Sequence, residues 1–179
     1  MPLSPNTLGQ MYALTVLTPI APGAEPALRG YLDGLSEGES PLARLPRTHF
    51  GRWVIMHGFV TGRGQRRPED LGGPFLIFSS TFDGDLDSYL SELTTELGDE
   101  AERIWGACIG APQPARGPAL KDYLLHNQID TGLFFCPYPD ATVRRVRDSV
   151  RARDRAIAFA VRAQAMDPKE RQRAFLEEF

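Results

Sequence analysis

One segment of the chain holds two of its three histidines together with a strand arginine and a strand tryptophan. Residues 48–59 read Thr-His-Phe-Gly-Arg-Trp-Val-Ile-Met-His-Gly-Phe, a β-branched and aromatic run that predicts a strand. Strand alternation places His49, Gly51 and Trp53 on one face, where the glycine would leave space above the sheet. His49 is therefore a candidate general base beside a bound molecule. The alternative is a strand-end histidine bonded to a loop carbonyl.

Arg52 is a charged residue inside this otherwise apolar strand. An unpaired guanidinium is costly to bury, so Arg52 must reach water, a carboxylate or an anionic ligand. Asp83, at the end of the strand predicted to pair with it, is an available carboxylate. Two interpretations stay open, a structural ion pair and an anion-binding site. We take His49, Arg52 and Asp83 as the candidate catalytic residues.

Metal-binding and nucleotide-binding motifs are weak in this sequence. The acidic turn at residues 83–85 resembles the start of a calcium loop, but Ser88 stands where that loop needs glycine. Helix capping explains the turn better. Cys108 and Cys136 have no CxxC spacing, and no P-loop, GxGxxG or GxSxG is present. No metal site is predicted.

The length of 179 residues predicts one domain with one sizeable core. The net charge of -3 is unevenly distributed, because residues 141–179 carry 10 basic against 6 acidic side chains. Mixed signs and few aromatics in that stretch favour a helix with a solvated basic face and no nucleic-acid partner. No signal peptide or apolar run of membrane-spanning length is visible. We expect a cytoplasmic protein with no membrane partner.

Apolar periodicity predicts an α+β chain. Four strands are expected, at Met11–Ile20, Thr48–Phe59, Phe75–Phe82 and Thr131–Tyr138. Helices are expected around Leu28, after the turn at residues 83–85, over residues 119–127, after Asp140 and after Asp167. Residues 1–10 are predicted to be a flexible arm, and residues 11–179 a single domain with a C-terminal helical extension.

The order of these elements predicts a ferredoxin-like βαββαβ domain with a four-stranded antiparallel sheet. Its helices would cover one face of that sheet. All four predicted strands are apolar on both faces, so the other face also needs a cover. A second copy, packed sheet against sheet, is the simplest cover. We therefore expect a homodimer.

This order, with the hairpin that ends in Phe-Asp-Gly-Asp at residues 82–85, resembles the dimeric α+β barrel superfamily over residues 11–160. The superfamily includes heme-degrading and antibiotic-biosynthesis monooxygenases, dye-decolorising peroxidases and small stress-response proteins. The resemblance implies a ligand site against the sheet. It also implies His126, on the helix before the fourth predicted strand, as an axial-ligand candidate for heme.

Taken together, these features predict a small-molecule oxidoreductase of monooxygenase or peroxidase type, acting on a hydrophobic or aromatic substrate. Heme is its candidate cofactor. In a cofactor-free version, His49 would act as the base. The alternative is a non-catalytic ligand-binding or stress-response dimer of the same fold, in which the polar residues serve as caps and ion pairs only.

Overall fold

Four antiparallel strands form one open sheet in the computed structural model, which describes residues 5–35, 40–58 and 70–179. The chain divides into two compact units, Met1–Val143 and Arg144–Phe179, and the sheet belongs to the first. Its order is β1-β2-β4-β3. The strands are β1 (Thr7–Leu8), β2 (Met11–Pro19), β3 (Thr48–Gly58) and β4 (Asp70–Asp83).

Six α-helices lie in the described part of the chain, so the predicted α+β class is confirmed. The first unit holds α1 (Glu25–Asp33), α2 (Leu86–Glu96), α3 (Gly98–Trp105), α4 (Gly117–His126) and a short 3-10 turn, Pro41–Arg44. After it come α5 (Val143–Ala163) and α6 (Pro168–Glu178). No helix among the described residues is both long and apolar enough to cross a membrane.

The predicted helix starts are confirmed where short acidic side chains cap them. The Asp85 carboxylate accepts a hydrogen bond of 2.8 Å from the backbone N–H of Ser88 in α2, and this bond lowers the pKa of Asp85. At α6, Asp167 accepts from the backbone N–H groups of Lys169 and Glu170. Each cap satisfies amide groups that the first helical turn leaves unbonded.

The fourth strand does not lie where the sequence predicts it. Residues 131–138 form no strand, and β1, from within the predicted flexible arm, pairs with β2 instead. The turn between β1 and β2 depends on Gly9, whose φ of 59° favours glycine. The ferredoxin-like order is therefore not confirmed. Gln128 alone makes an isolated bridge to β2.

The backbone bonds of this region explain the difference. The N–H of Thr131 donates to the side chain of the buried Asn6 at 2.7 Å, and the carbonyl of Pro139 accepts from Gln10 at 3.0 Å. Groups that a strand would offer to β2 are thus bonded elsewhere. Pro137 and Pro139 also lack the N–H that a ladder needs.

An aromatic and aliphatic core fills the space between one face of the sheet and the helices of the first unit. The ring of Phe78 on β4 stacks on Trp53 of β3, with centroids 5.3 Å apart, and meets Trp105 of α3 edge-on at 5.4 Å. Phe82 stacks on Tyr89 of α2 at 3.5 Å. Burying these large rings supplies much of the driving force for folding.

The other face of the sheet keeps part of its surface accessible, and we call it the open face. It is apolar at both ends and polar in the middle. Phe50 is 78% exposed and Val54 40% exposed. Met11, which alternation also places here, is buried. Other side chains of this face are half-buried or exposed: Ala13, Thr15, Leu17, Pro19, Arg52, Met56, Phe75, Ile77, Ser79 and Thr81.

The second unit is held by three phenylalanines. Phe159 of α5 lies 5.6 Å from Phe175 and 5.8 Å from Phe179, measured between ring centroids. On the other side of α5, Val150 and Val161 remain 41% and 64% exposed. The α5 helix is therefore amphipathic with an accessible apolar stripe.

Tyr123 of α4 provides a test of this core. Burial, and secondarily the neighbouring Cys108, raises the pKa of Tyr123 to about 12, and its hydroxyl donates to the carbonyl of Ile109 at 2.8 Å. The pKa of Tyr123 is near 10 in the unfolded chain and about 12 in the folded protein, so the neutral phenol stabilises the folded state. This stabilisation is complete below about pH 10 and is lost as the pH rises through about 12. We expect Tyr123→Phe to lower the free energy of unfolding at pH 7 by about 1 kcal/mol.

Urea denaturation at pH 7 and in steps from pH 9 to above 11 measures both effects. The Tyr123→Phe protein should lose less stability over the alkaline range than the wild-type protein. Tyr138→Phe is the matched control, because Tyr138 is 72% exposed. An identical alkaline decline in wild type and Tyr123→Phe would contradict the assignment.

Candidate functional site

A β-bulge sets the position of His49. Thr48 pairs with Phe82 and Phe50 pairs with Thr81, so His49 is the extra residue on β3. The bulge breaks the alternation that the sequence predicts. His49 consequently does not share a face with Gly51, because Thr48 takes the core-facing position.

His49 and Asp83 form a close, largely buried pair. Nε2 of His49 lies 2.8 Å from Oδ1 of Asp83, and the two side chains are only 10% and 13% exposed. Because a carboxylate only accepts hydrogen bonds, the imidazole donates through its Nε2–H. This fixes the tautomer and leaves Nδ1 as the proton-accepting nitrogen.

The second oxygen of Asp83 has a structural role. Oδ2 accepts a hydrogen bond of 2.7 Å from the backbone N–H of Val143, the first residue of α5. A carboxylate at a helix N-terminus satisfies a free amide and meets the positive end of the helix dipole. Asp83 therefore joins the bulge of β3 to the start of α5 while it orients His49.

Arg52 and Asp83 do not pair, so the predicted ion pair between them is wrong. Asp83 is bonded to His49 and Val143, and it lies four residues along β4 from Ser79, the residue opposite Arg52. Nε of Arg52 donates instead to the Ser79 hydroxyl at 3.3 Å. The guanidinium reaches the solvent-accessible side of the sheet, which is one of the outcomes that the sequence allowed.

The space expected above Gly51 is filled. A Cβ placed on Gly51 would come within 2.5 Å of Cδ1 of Leu42, a side chain from the 3-10 turn that packs on the core side of β3. The glycine therefore permits Leu42 to approach the sheet. It does not provide a ligand cavity on the face that the sequence predicted.

A groove of about 400 Å³ lies on the open face. It borders Arg52 and the exposed ring of Phe50, and its size suits a small organic molecule. Asp83 lies two residues beyond the last groove residue of β4, on the same side of that strand. The residues that line the groove are Phe50, Gly51, Arg52, Ser79, Ser80 and Thr81.

A buried hydroxyl cluster lies beneath the bulge, and sequence patterns give no sign of it. The Tyr89 hydroxyl is 2.7 Å from the Ser80 hydroxyl and 3.1 Å from that of Thr48. Burial raises the pKa of Tyr89, which keeps the phenol neutral. In the sequence, Tyr89 appears only as one member of the apolar stripe of α2. The cluster ties α2 to both strands of the hairpin.

His126 lies apart from the other candidate residues. It is the exposed last residue of α4, and the following Asn127 accepts from the N–H of Leu17 near the end of β2. Asp83 pairs with Met11 at the start of β2, six residues away, or about 20 Å at strand rise.

The surroundings of His126 do not fit a heme. Its neighbour Leu125 is 38% exposed, and the two residues lie on the accessible side of α4, whereas a prosthetic group needs an enclosing apolar cleft. We derive no chemistry through heme. Among the described residues, no group of three or more histidine, cysteine and acidic side chains could hold a metal ion.

No protein-family model, curated protein or solved structure matches this chain. The resemblance to the dimeric α+β barrel superfamily therefore stays a prediction.

Substitutions at Asp83 test the dual role of its carboxylate. Asp83→Ala removes the acceptor for both the His49 ring and the Val143 amide, so we expect the free energy of unfolding to fall by about 1–3 kcal/mol. Asp83→Asn keeps one oxygen for Val143 and should cost less. Its amide N–H would face His49, so the ring should switch to the Nδ1–H tautomer and accept through Nε2.

Urea denaturation measures the stability, and imidazole ¹⁵N chemical shifts report the tautomer. If Asp83→Ala is as stable as wild type, the bonds to His49 and Val143 do not hold the bulge and the helix start. A His49 tautomer that stays Nε2–H in Asp83→Asn would contradict the pairing.

Proposed function

We propose that the protein binds a small, partly apolar organic molecule in the groove on the open face of its sheet. The observation that carries the proposal is the groove itself. It has a volume of about 400 Å³ and is bordered by both the exposed Phe50 ring and the Arg52 guanidinium. Apolar rows of the sheet flank this polar centre. A ligand with an aromatic or alicyclic body would cover them.

We further propose that this molecule is oxidised by dioxygen without a bound cofactor, with His49 as the base. Asp83 orients the ring and would stabilise the imidazolium after Nδ1 takes a proton from an activated CH2 group of the substrate, whose second hydrogen leaves later with the water. The carbanion would add dioxygen to give a hydroperoxide. Loss of water, with the proton returned from His49, would leave a ketone, so the carbon is oxidised and dioxygen reduced.

The second candidate is a non-catalytic binding protein, and the Val143 contact favours it. Asp83 already satisfies the amide at the start of α5, so its pairing with His49 serves the architecture whether or not any proton moves. In this version the groove holds a ligand, and His49 only fixes the bulge. Loss of His49 would then change stability and leave no activity to lose.

A second copy of the chain is the proposed cover for the open face. Val54 is 40% exposed and Phe50 78% exposed, which is unfavourable for a face that is apolar over most of its rows. Packing two open faces together would bury these side chains and close the groove against water. We propose a homodimer on this basis.

Binding and turnover are tested separately with one-ring probes. A ¹H–¹⁵N NMR titration with phenol, hydroquinone and benzoate should shift the amides of residues 50–52 and 79–81. Oxygen uptake with 1,3-cyclohexanedione should be at least tenfold slower in His49→Gln, while the binding shifts persist. The CH2 group between its two carbonyls is an acidic C–H of the kind that a histidine base can take.

The matched control is His57→Gln, since His57 lies at the other end of β3 and is exposed. Uptake that is absent in wild type, or unchanged in His49→Gln, overturns the catalytic proposal in favour of the binding protein. The absence of any groove shift at millimolar probe would overturn both.

Sedimentation velocity at micromolar concentration tests the homodimer. The wild-type chain should sediment as a dimer, and Val54→Asp should dissociate it because a charge would be buried between the two sheets. Val161→Asp, on α5, is the control and should leave the dimer intact. A monomeric wild type, or dissociation by the control alone, would overturn the sheet-to-sheet arrangement.

A further inference from the structure

We infer that the groove ligand is a carboxylate, held by a polar row that crosses the centre of the open face. The row consists of Thr15 on β2, Ser79 on β4 and Arg52 on β3, which lie side by side in the sheet register. This inference rests on the proposed function, because it names the ligand class of the same groove.

The position of the row is informative. One step along the sheet, Leu17, Ile77 and Val54 form an apolar row, and beyond it lies a second one. On the other side is the row that contains the exposed Phe50. A cation and two hydroxyls thus interrupt a surface that is otherwise suited to packing. Structural burial alone would favour an aliphatic residue at position 52.

Arg52 also differs from most of the other described arginines of the first unit. Four of them contact a carboxylate at less than 3.0 Å: Arg29, Arg44, Arg47 and Arg116. Arg103 lies instead over the ring of Tyr31, 5.5 Å from its centroid. Among the described residues, Arg52 contacts no carboxylate, and its one hydrogen bond goes to the neutral Ser79 hydroxyl. That bond uses Nε and holds the planar group over the groove.

The chemistry of the row selects an anion. The guanidinium has further N–H donors beyond Nε, and the Thr15 and Ser79 hydroxyls can rotate to donate as well. A planar, bidentate partner such as a carboxylate matches the guanidinium fork. The apolar rows on both sides would contact the body of an aryl or alkyl acid.

The row and the His49–Asp83 pair are far enough apart to be tested separately. Ser79 and Asp83 are four residues apart on β4, which is about 13 Å at strand rise. Benzoate is shorter than this distance, so it can occupy the row without contacting His49. Its binding therefore reports on Arg52 alone.

The experiment compares benzoate with benzamide, a neutral molecule of the same shape, in NMR titrations. In wild type, benzoate should bind at least tenfold more tightly than benzamide, with shifts at Thr15, Arg52 and Ser79. Arg52→Gln should remove that preference and leave benzamide binding unchanged. Arg52→Lys should keep part of it, because the charge remains and the planar fork is lost.

Arg173→Gln is the charge-matched control, since Arg173 is an exposed arginine of α6. It should leave the benzoate preference intact. Equal binding of benzoate and benzamide to wild type overturns the carboxylate inference while the proposed groove stands. If neither molecule shifts any groove amide, the groove is not a binding site and the proposed function is overturned. Displacement of benzoate by inorganic phosphate at lower concentration would replace the carboxylate with a phosphate ligand.

Discussion

One-sided burial of an apolar sheet is the constraint on which the first unit depends. Aromatic rings from β3, β4 and the helices interlock on the core side, where Phe78 contacts both Trp53 and Trp105. The helices of the first unit pack on that side of the sheet. The open face is left with exposed apolar side chains, and any ligand or partner of this sheet has to be accommodated there.

The Asp83 carboxylate links this sheet to the chain that follows it. One oxygen orients His49 and the other holds the amide of Val143, so a single side chain fixes both a candidate base and the start of a helix. This double use has a chemical consequence. A change at Asp83 made to alter proton transfer would also alter the architecture, whereas a change at His49 leaves the bond to Val143 in place.

Arg52 makes the open face suitable for an anionic ligand as well as for packing. Without it, the open face would be a plain packing surface, and a second copy would be a sufficient explanation for its composition. The guanidinium and the Ser79 hydroxyl bring unsatisfied donors to the same place. Burying them in a dimer without an anion would be costly, so the proposals of a ligand and of a covering partner support one another.

The sequence by itself determined the α+β class, the helix stripes and the caps at Asp85 and Asp167. It also predicted strands at 11–20 and 48–59, which correspond to Met11–Pro19 and Thr48–Gly58 in the structure. These features depend on neighbours within one turn or one strand, which periodicity and capping chemistry report directly. It also identified His49 and Arg52 as polar residues within a predicted strand, and Asp83 as a carboxylate at the end of the neighbouring one.

Only the tertiary structure decided which of these residues meet. The bulge at His49 sets the register that places Arg52 opposite Ser79, and Asp83 bonds to the histidine. Leu42, from the 3-10 turn outside the strand, fills the space expected above Gly51. The Asn6 side chain accepts the backbone hydrogen bond of Thr131, and a fourth strand would need that N–H group for its own pairing. Each outcome depends on strand register or on contacts between separate segments of the chain. Strand alternation alone cannot reveal a single residue inserted by a β-bulge.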